Sequence, residues 1–245
     1  MNDIHNRRVA VVGGTSGIGR AAVETLCEAG YTVLATGRDR TKLADLERAV
    51  RAASGRGSLV ASQADAADSA AMRILLLEHR PIDHLVIAAS GGKGGGPFAS
   101  LALEDLREGF EAKFWVHLAT LRGALEALAP AASITLITAA SARAAMRGTA
   151  GLAAINGALE TMVPILAREL APRRVNAISP GIIDTPWWSA LPQTAREEVF
   201  AGYSASVPLG RVGEAQEVAH AVKFLIENRY VTGSVIEVDG GFHTV

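Results

Sequence analysis

Along the 245-residue chain, short runs of β-branched and apolar residues alternate with longer stretches whose apolar positions recur every three or four residues. The short runs predict strands at RVAVVG (8–13), YTVLAT (31–36), GSLVAS (57–62), IDHLVIAAS (82–90), SITLITAA (133–140), RVNAISP (174–180) and SVIEVDG (234–240). Most lack in/out alternation, as strands covered on both faces do. The longer stretches predict helices at AAVETLCEAG, RTKLADLERAV, SAAMRILLLEH, a single long LEDLREGFEAKFWVHLATLRGALEAL (103–128), GLAAINGALETMVPILARELA and EAQEVAHAVKFLIE. This alternation predicts an α/β fold, doubly wound (Rossmann), with a seven-stranded, mainly parallel sheet and helices on both faces. No repeat, charge block or linker divides the chain, so one domain over 1–245 is expected. Two segments stand outside the pattern: a glycine loop, GGKGGGP (91–97), and a long excursion (182–208) suited to a substrate lid.

Charge narrows the choice of partner. With 24 Lys+Arg against 25 Asp+Glu, the chain has no field to draw in nucleic acid or an anionic membrane, so a small molecule is the expected ligand. The polar lead MNDIHN has no signal-peptide core, and no uninterrupted apolar run reaches membrane-spanning length; a cytoplasmic protein is expected. The single cysteine, Cys27, can form no internal disulfide and no multi-thiolate metal site, and reads as a small core side chain. No metal site is expected.

The first strand-to-helix junction, VAVVGGTSGIGRAAVETL, places Gly13, Gly17 and Gly19 where missing side chains let the backbone approach a pyrophosphate. Free N–H groups at the helix start favour its negative charge. At the end of the second strand, TGRDR carries Arg38 and Arg40 where an NAD site would have an acid for the ribose 2′-hydroxyl. A guanidinium there suits the 2′-phosphate of NADP(H), and Arg38, directly after Gly37, is the better placed.

With these motifs the chain resembles the short-chain dehydrogenase/reductase family over nearly its whole length. GGTSGIG is similar to that family's TGxxxGIG, and Asp65 in SQADAAD to its adenine-side aspartate. SPGIIDTP (179–186) looks like the nicotinamide-side PG motif, and the segment from PLGRVG to VDGG like the family's C-terminal region. The resemblance implies a cofactor lying along Gly13, Thr15, Ser16, Gly17, Ile18, Gly19, Arg38, Asp65, Ala66, Ala88, Pro180, Gly181 and the backbone of Ile183, with Thr185 near the carboxamide. It also implies a homodimer or homotetramer, formed through the long Lys113 helix and the GLAAINGALE helix.

The family's chemistry uses a tyrosine and a lysine four residues apart, a serine before them, and an asparagine on the preceding helix. Here Ile155 falls at the tyrosine position and Leu159 at the lysine position. None of the three tyrosines has a lysine four residues on. IAASG (87–91) replaces the NNAG segment, the asparagine position falls on Lys113, and Ser141 is the match to the serine, although one residue out of the usual spacing. Lys113, one of only four lysines, is therefore the expected replacement acid or oxyanion stabiliser, with Ser141 as its hydrogen-bonding companion. The competing reading has Lys113 reaching solvent or pairing with Glu111 or Glu160. His117, one helical turn on, reads as a packing histidine, Arg143 and Arg147 as solvated loop residues, and Trp187 and Trp188 as either substrate surface or lid packing.

The expected function is an NADP(H)-dependent oxidoreductase acting on a carbonyl or alcohol of a small, partly apolar molecule. The alternatives are an NADP(H)-binding sensor without turnover and a non-redox isomerase or cyclase on the same fold.

Overall fold

The computed structural model describes residues 7–53 and 55–244, so the polar lead at 1–6 lies outside the described residues. Strand β1 (Arg8–Val12) runs into helix α1 (Gly17–Ala29), and the alternation continues through β2 (Thr32–Gly37), α2 (Arg40–Ala52), β3 (Ser58–Gln63), α3 (Ser69–Glu78) and β4 (Ile82–Ile87). Next come α4 (Leu103–Gly109), a π-helical turn (Phe110–Trp115), α5 (Val116–Ala124), β5 (Leu128–Ile137), α6 (Ala150–Glu169) and β6 (Arg174–Pro180). A short strand β7 (Ile183–Asp184), α7 (Gln193–Ser206), β8 (Gly213–Glu214), α8 (Ala215–Glu227) and β9 (Val235–Val238) complete the chain.

Seven strands form one sheet in the order β3-β2-β1-β4-β5-β6-β9, with every neighbouring pair parallel. Because successive strand residues point to opposite faces, β1 must be apolar from Val9 to Val12 to serve two cores. Val9 and Val11 pack with α1 and α8 through Val23, Leu26, Val218 and Val222. Ala10 and Val12 pack on the other face with Met72 and Leu76 of α3, Leu121 of α5 and Val163 of α6. The chain leaves β1 toward β2 on one side and returns to β4 on the other, so a crevice opens above the C-terminal ends of β1 and β4. Cys27 lies in the first core, where burial beside Glu24 and Glu28 pushes its thiol up to about 12.

Three expectations are corrected. The helix expected over 103–128 is broken: a π turn interrupts it at Phe110–Trp115, and it stops at Ala124 because the chain must be extended by Leu128 to pair with Ile82. Pro130, which has no N–H to donate, sits in β5 opposite an irregularity in β4 rather than in a helix. The strands expected to reach residues 90 and 140 end at Ile87 and Ile137, which leaves Ala88 and Thr138 on the crevice rim. The excursion 182–208 is largely ordered: β7, a 3₁₀ turn (Pro186–Ala190) and α7 fold over a small core of Ile182, Tyr203 and Val207. No uninterrupted apolar run appears, although α6, its apolar run broken by Glu160, is by length and composition alone long and apolar enough to cross a membrane. In the structure it packs on β6, with Glu160 at its centre held by Thr138 and Arg143.

Candidate active site

The crevice above β1 and β4 is a cleft of about 950 Å³, of the size that holds a dinucleotide and a small second molecule. Gly13 opens it with a left-handed φ of +83°, and a Cβ there would lie 2.8 Å from the backbone nitrogen of Ala89. A Cβ on Gly19 would sit 2.1 Å from the carbonyl oxygen of Gly13. Only glycine fits either place. Ser16 caps α1 with an extended backbone and no side-chain cap bond, leaving the first N–H groups of the helix directed at the cleft. This is a cradle for a pyrophosphate.

Arg38, Asp65, Ala66, Ala88, Pro180, Gly181, Ile183 and Thr185 all line the same cleft, as do Thr15, Ser16, Gly17 and Ile18. Thr185 reaches back over the glycine turn, within 3.3 Å of where a Gly17 Cβ would stand. The two arginines of TGRDR part company: Arg40 Nε donates to Gln63 Oε1 at 2.6 Å, while Arg38 faces the cleft and has no carboxylate partner among the described residues. Lys42, which the sequence reading passed over, also lines the cleft. Its signal was present: it stands four residues after Arg38, in the first turn of α2.

Deeper in the cleft, the π turn carries Lys113 inward. Its side chain is 9% exposed and its Nζ donates to the Thr138 carbonyl at 3.1 Å. Burial pushes the ammonium down from 10.5 to about 8, while the negative charge of Glu160 pulls the other way. Lys113 neither snorkels to solvent nor forms an ion pair with Glu111 or Glu160. The Glu160 carboxylate is committed elsewhere, accepting from Thr138 Oγ1 at 2.7 Å and from Arg143 Nε at 2.9 Å. Arg143 also bonds Glu237, so although exposed like Arg147 it acts as a structural tether.

His117 is fully enclosed, with Nε2 3.0 Å from the Ala89 carbonyl. Burial, and then the Lys113 charge, drop it to about 3, so it is neutral at pH 7. It packs behind the cleft wall and supplies no base.

Ser141 lies on a 3₁₀ turn (Ala140–Ala142) at the cleft wall. The Asn156 amide nitrogen donates to Leu152 O at 2.9 Å and to Ser141 Oγ at 3.2 Å. A carbonyl can only accept, so the amide orientation is determined, and Ser141 uses an oxygen lone pair toward Asn156. Its own O–H has no acceptor among the described residues and is available as a donor. Ile155 and Leu159, on the same helix, are buried at 2% and 0% exposure. Ile155 packs beneath the glycine loop, where its Cδ1 would stand 3.0 Å from a Cβ on Gly94. Trp187 Nε1 donates to Gly91 O at 3.1 Å, clasping the 182–208 segment onto that loop, and Trp188 stacks edge-on against both Trp187 and Phe200. Both tryptophans line the cleft, so one pair of rings packs the segment and faces the ligand space.

Over residues 12–243 the chain matches the family described as Enoyl-(Acyl carrier protein) reductase. It is 32% identical over 251 residues to the L-xylulose reductase of Bos taurus, covering 96% of each chain. That decides the family.

The chain belongs to the short-chain dehydrogenase/reductase family.

A 3-oxoacyl-[acyl-carrier-protein] reductase of Rattus norvegicus is 32% identical over 240 residues, covering 95% of this chain and 96% of the relative. Among solved structures, a small-chain dehydrogenase in complex with NADPH superposes with a TM-score of 0.83 at 29% identity, covering 98% of this chain and 99% of that one. A short-chain type dehydrogenase/reductase from Mycobacterium ulcerans reaches a TM-score of 0.90 at 26% identity, over 99% and 92% of the two chains. The protein is thus an oxidoreductase of short-chain dehydrogenase type, in a family that binds a nicotinamide cofactor and acts on small molecules. The glycine cradle and the uncapped α1 N-terminus fit such a cofactor.

Proposed function

We propose that this short-chain dehydrogenase/reductase uses NADP(H) to interconvert a carbonyl and an alcohol on a small, partly apolar molecule, with Lys113 as the proton donor in the tyrosine's stead. The observation that carries the reading is the enclosed Lys113 ammonium, brought to the inner cleft by the π turn and lowered toward neutrality. A general acid works best when its pKa lies near the working pH.

Gly13, Thr15, Ser16, Gly17, Ile18 and Gly19 would hold the pyrophosphate, Asp65 and Ala66 the adenine side, and Ala88, Pro180, Gly181, Ile183 and Thr185 the nicotinamide end. Arg38, with Lys42 beside it, would take the 2′-phosphate, and the NADPH complex of the 29%-identical neighbour supports that preference. When bound, the nicotinamide supplies or accepts the hydride. The Ser141 O–H hydrogen-bonds the substrate oxygen, Asn156 keeps that hydroxyl aimed, and Lys113 delivers the proton to the same oxygen. Trp187, Met146, Leu152 and Ile155 shape the apolar part of the space. The chain works as one domain, with 182–208 closing over the substrate. A homo-oligomer would bury Leu103 and Ile165, which are large, apolar and exposed on α4 and α6.

One observation favours a second reading. Ile155 and Leu159 fill the tyrosine and lysine positions with close-packed hydrocarbon, as a cofactor-binding protein without turnover would allow. Calorimetry with NADPH and NADH, followed by NADPH oxidation over a panel of carbonyl compounds, separates the two. Tight NADPH binding with consumption supports the reductase, binding without consumption supports the sensor, and no heat with either nucleotide removes both.

A further inference from the structure

We propose that the Lys113 amine forms a reversible imine with small aldehydes and ketones entering the cleft, an activity that needs no nucleotide and stands apart from the reductase reading. The geometry is that of an enclosed nucleophile: Lys113 lines the cleft and is held at 3.1 Å by a backbone carbonyl, that of Thr138. Among the described residues no carboxylate lies within ion-pair distance of it.

The charged and titratable groups facing it are few. His117, on its own helix, is neutral at pH 7. Glu160, facing it from α6, is bonded to Thr138 and Arg143, and Arg143 is bonded in turn to Glu160 and Glu237. Desolvation therefore outweighs the pull of Glu160, and the ammonium falls to about 8. Roughly a tenth of the molecules then carry a neutral amine at pH 7, against less than about one in a thousand for a lysine of ordinary pKa. A lysine desolvated in an apolar pocket is the usual form of a Schiff-base nucleophile.

The chemistry balances without an oxidant or reductant. The Nζ lone pair attacks the carbonyl carbon, the π pair moves onto oxygen, and one nitrogen proton passes to that oxygen through solvent to give a neutral carbinolamine. The carbinolamine oxygen takes a second proton from solvent and leaves as water while the nitrogen pair closes the C=N bond, giving a cationic iminium. Ser141, which lines the cleft and whose oxygen already accepts from Asn156, keeps its O–H available to donate to the departing oxygen. Met146, Leu152 and Ile155 favour an apolar carbonyl compound over a charged one.

The test uses the full-length protein, free of nucleotide, incubated with butanal and sodium cyanoborohydride at pH 7. Peptide mapping by mass spectrometry then reads the alkylation rate at each of the four lysines. Lys113 is expected to react at least ten-fold faster than the exposed Lys42 and Lys93, and Lys113→Arg to lose the fast phase. Modification of Lys113 at the same rate as those lysines, or more slowly, overturns the proposal. That comparison is internal to the wild-type protein, so it holds whether or not the variant folds, and it leaves the NADPH calorimetry untouched.

Discussion

A proton donor must have its charge near balance and its atom within reach of the oxygen it serves, and at the residue scale Lys113 has the first property from its burial. Lys113→Met is expected to lower carbonyl reduction at pH 7 by about 100-fold or more, the ordinary contribution of a general acid. NADPH affinity, measured by calorimetry, should change little, because in this reading Gly13–Gly19 and Arg38, not Lys113, hold the phosphates. Glu160 holds the ammonium charged, so Glu160→Gln should let it deprotonate at lower pH. Activity that needs the protonated form is present below the Lys113 pKa and lost above it, so the alkaline limb of the pH–rate profile should move to lower pH in that variant. An unmoved limb would mean that another group limits it. Arg38→Ala should weaken NADPH binding at least ten-fold while sparing NADH, since it removes the guanidinium facing the 2′-phosphate. Arg38 was legible from its place after a strand-end glycine, and Lys113 from arithmetic: few lysines, one standing where an asparagine was expected. The Glu160–Arg143–Glu237 tether was not legible, because its members are scattered over α6, a loop and β9.

At the scale of elements, the π turn decides what the inner cleft contains. An extra residue per turn breaks the 3.6-residue rhythm, so a face drawn on a straight helix over 103–128 misplaces its side chains. The glycine loop is packed against this region as closely as a core: a Cβ on Gly109 would lie 2.7 Å from the Lys93 carbonyl oxygen and 2.8 Å from Ile155 Cδ1. Alanine would gain about 1 kcal/mol over glycine in an open helix. Overpacking costs about 1–3 kcal/mol, and here one obstacle is backbone. Gly109→Ala should therefore lower stability, read as a fall in the urea midpoint. A rise would mean that the loop yields. Strand and helix periods predicted most elements in this chain, and failed where a long-range partner overrode local preference, as Ile82 does in drawing Leu128 into β5.

Among the described residues of the molecule, His84 and His117 are buried and neutral, and their response to acid has a definite sign. Burial, with Arg7, Arg174 and Arg229 nearby, lowers His84 to about 3, and His117 is lowered likewise. Both are depressed in the folded state, so between roughly pH 6.5 and 3 the unfolded chain binds more protons than the folded one. Their contribution is complete above the unfolded value and lost as pH falls, by up to about 1.4 kcal/mol per pH unit for each. Urea midpoints should drop from pH 7 to pH 5, and less steeply in His117→Gln. Equal slopes would remove His117 from the account.

The parallel α/β class, the two-faced core, the glycine cradle and the choice of Arg38 over an acid were determined by the sequence alone. Each depends on local backbone geometry or on a repeating burial pattern, which short windows of residues express directly. The depth of Lys113, the bond from Asn156 to the Ser141 oxygen and the clasp of Trp187 on Gly91 were decided only by tertiary structure. Desolvation and hydrogen-bond direction depend on which distant segments meet, and no window of the chain contains both partners.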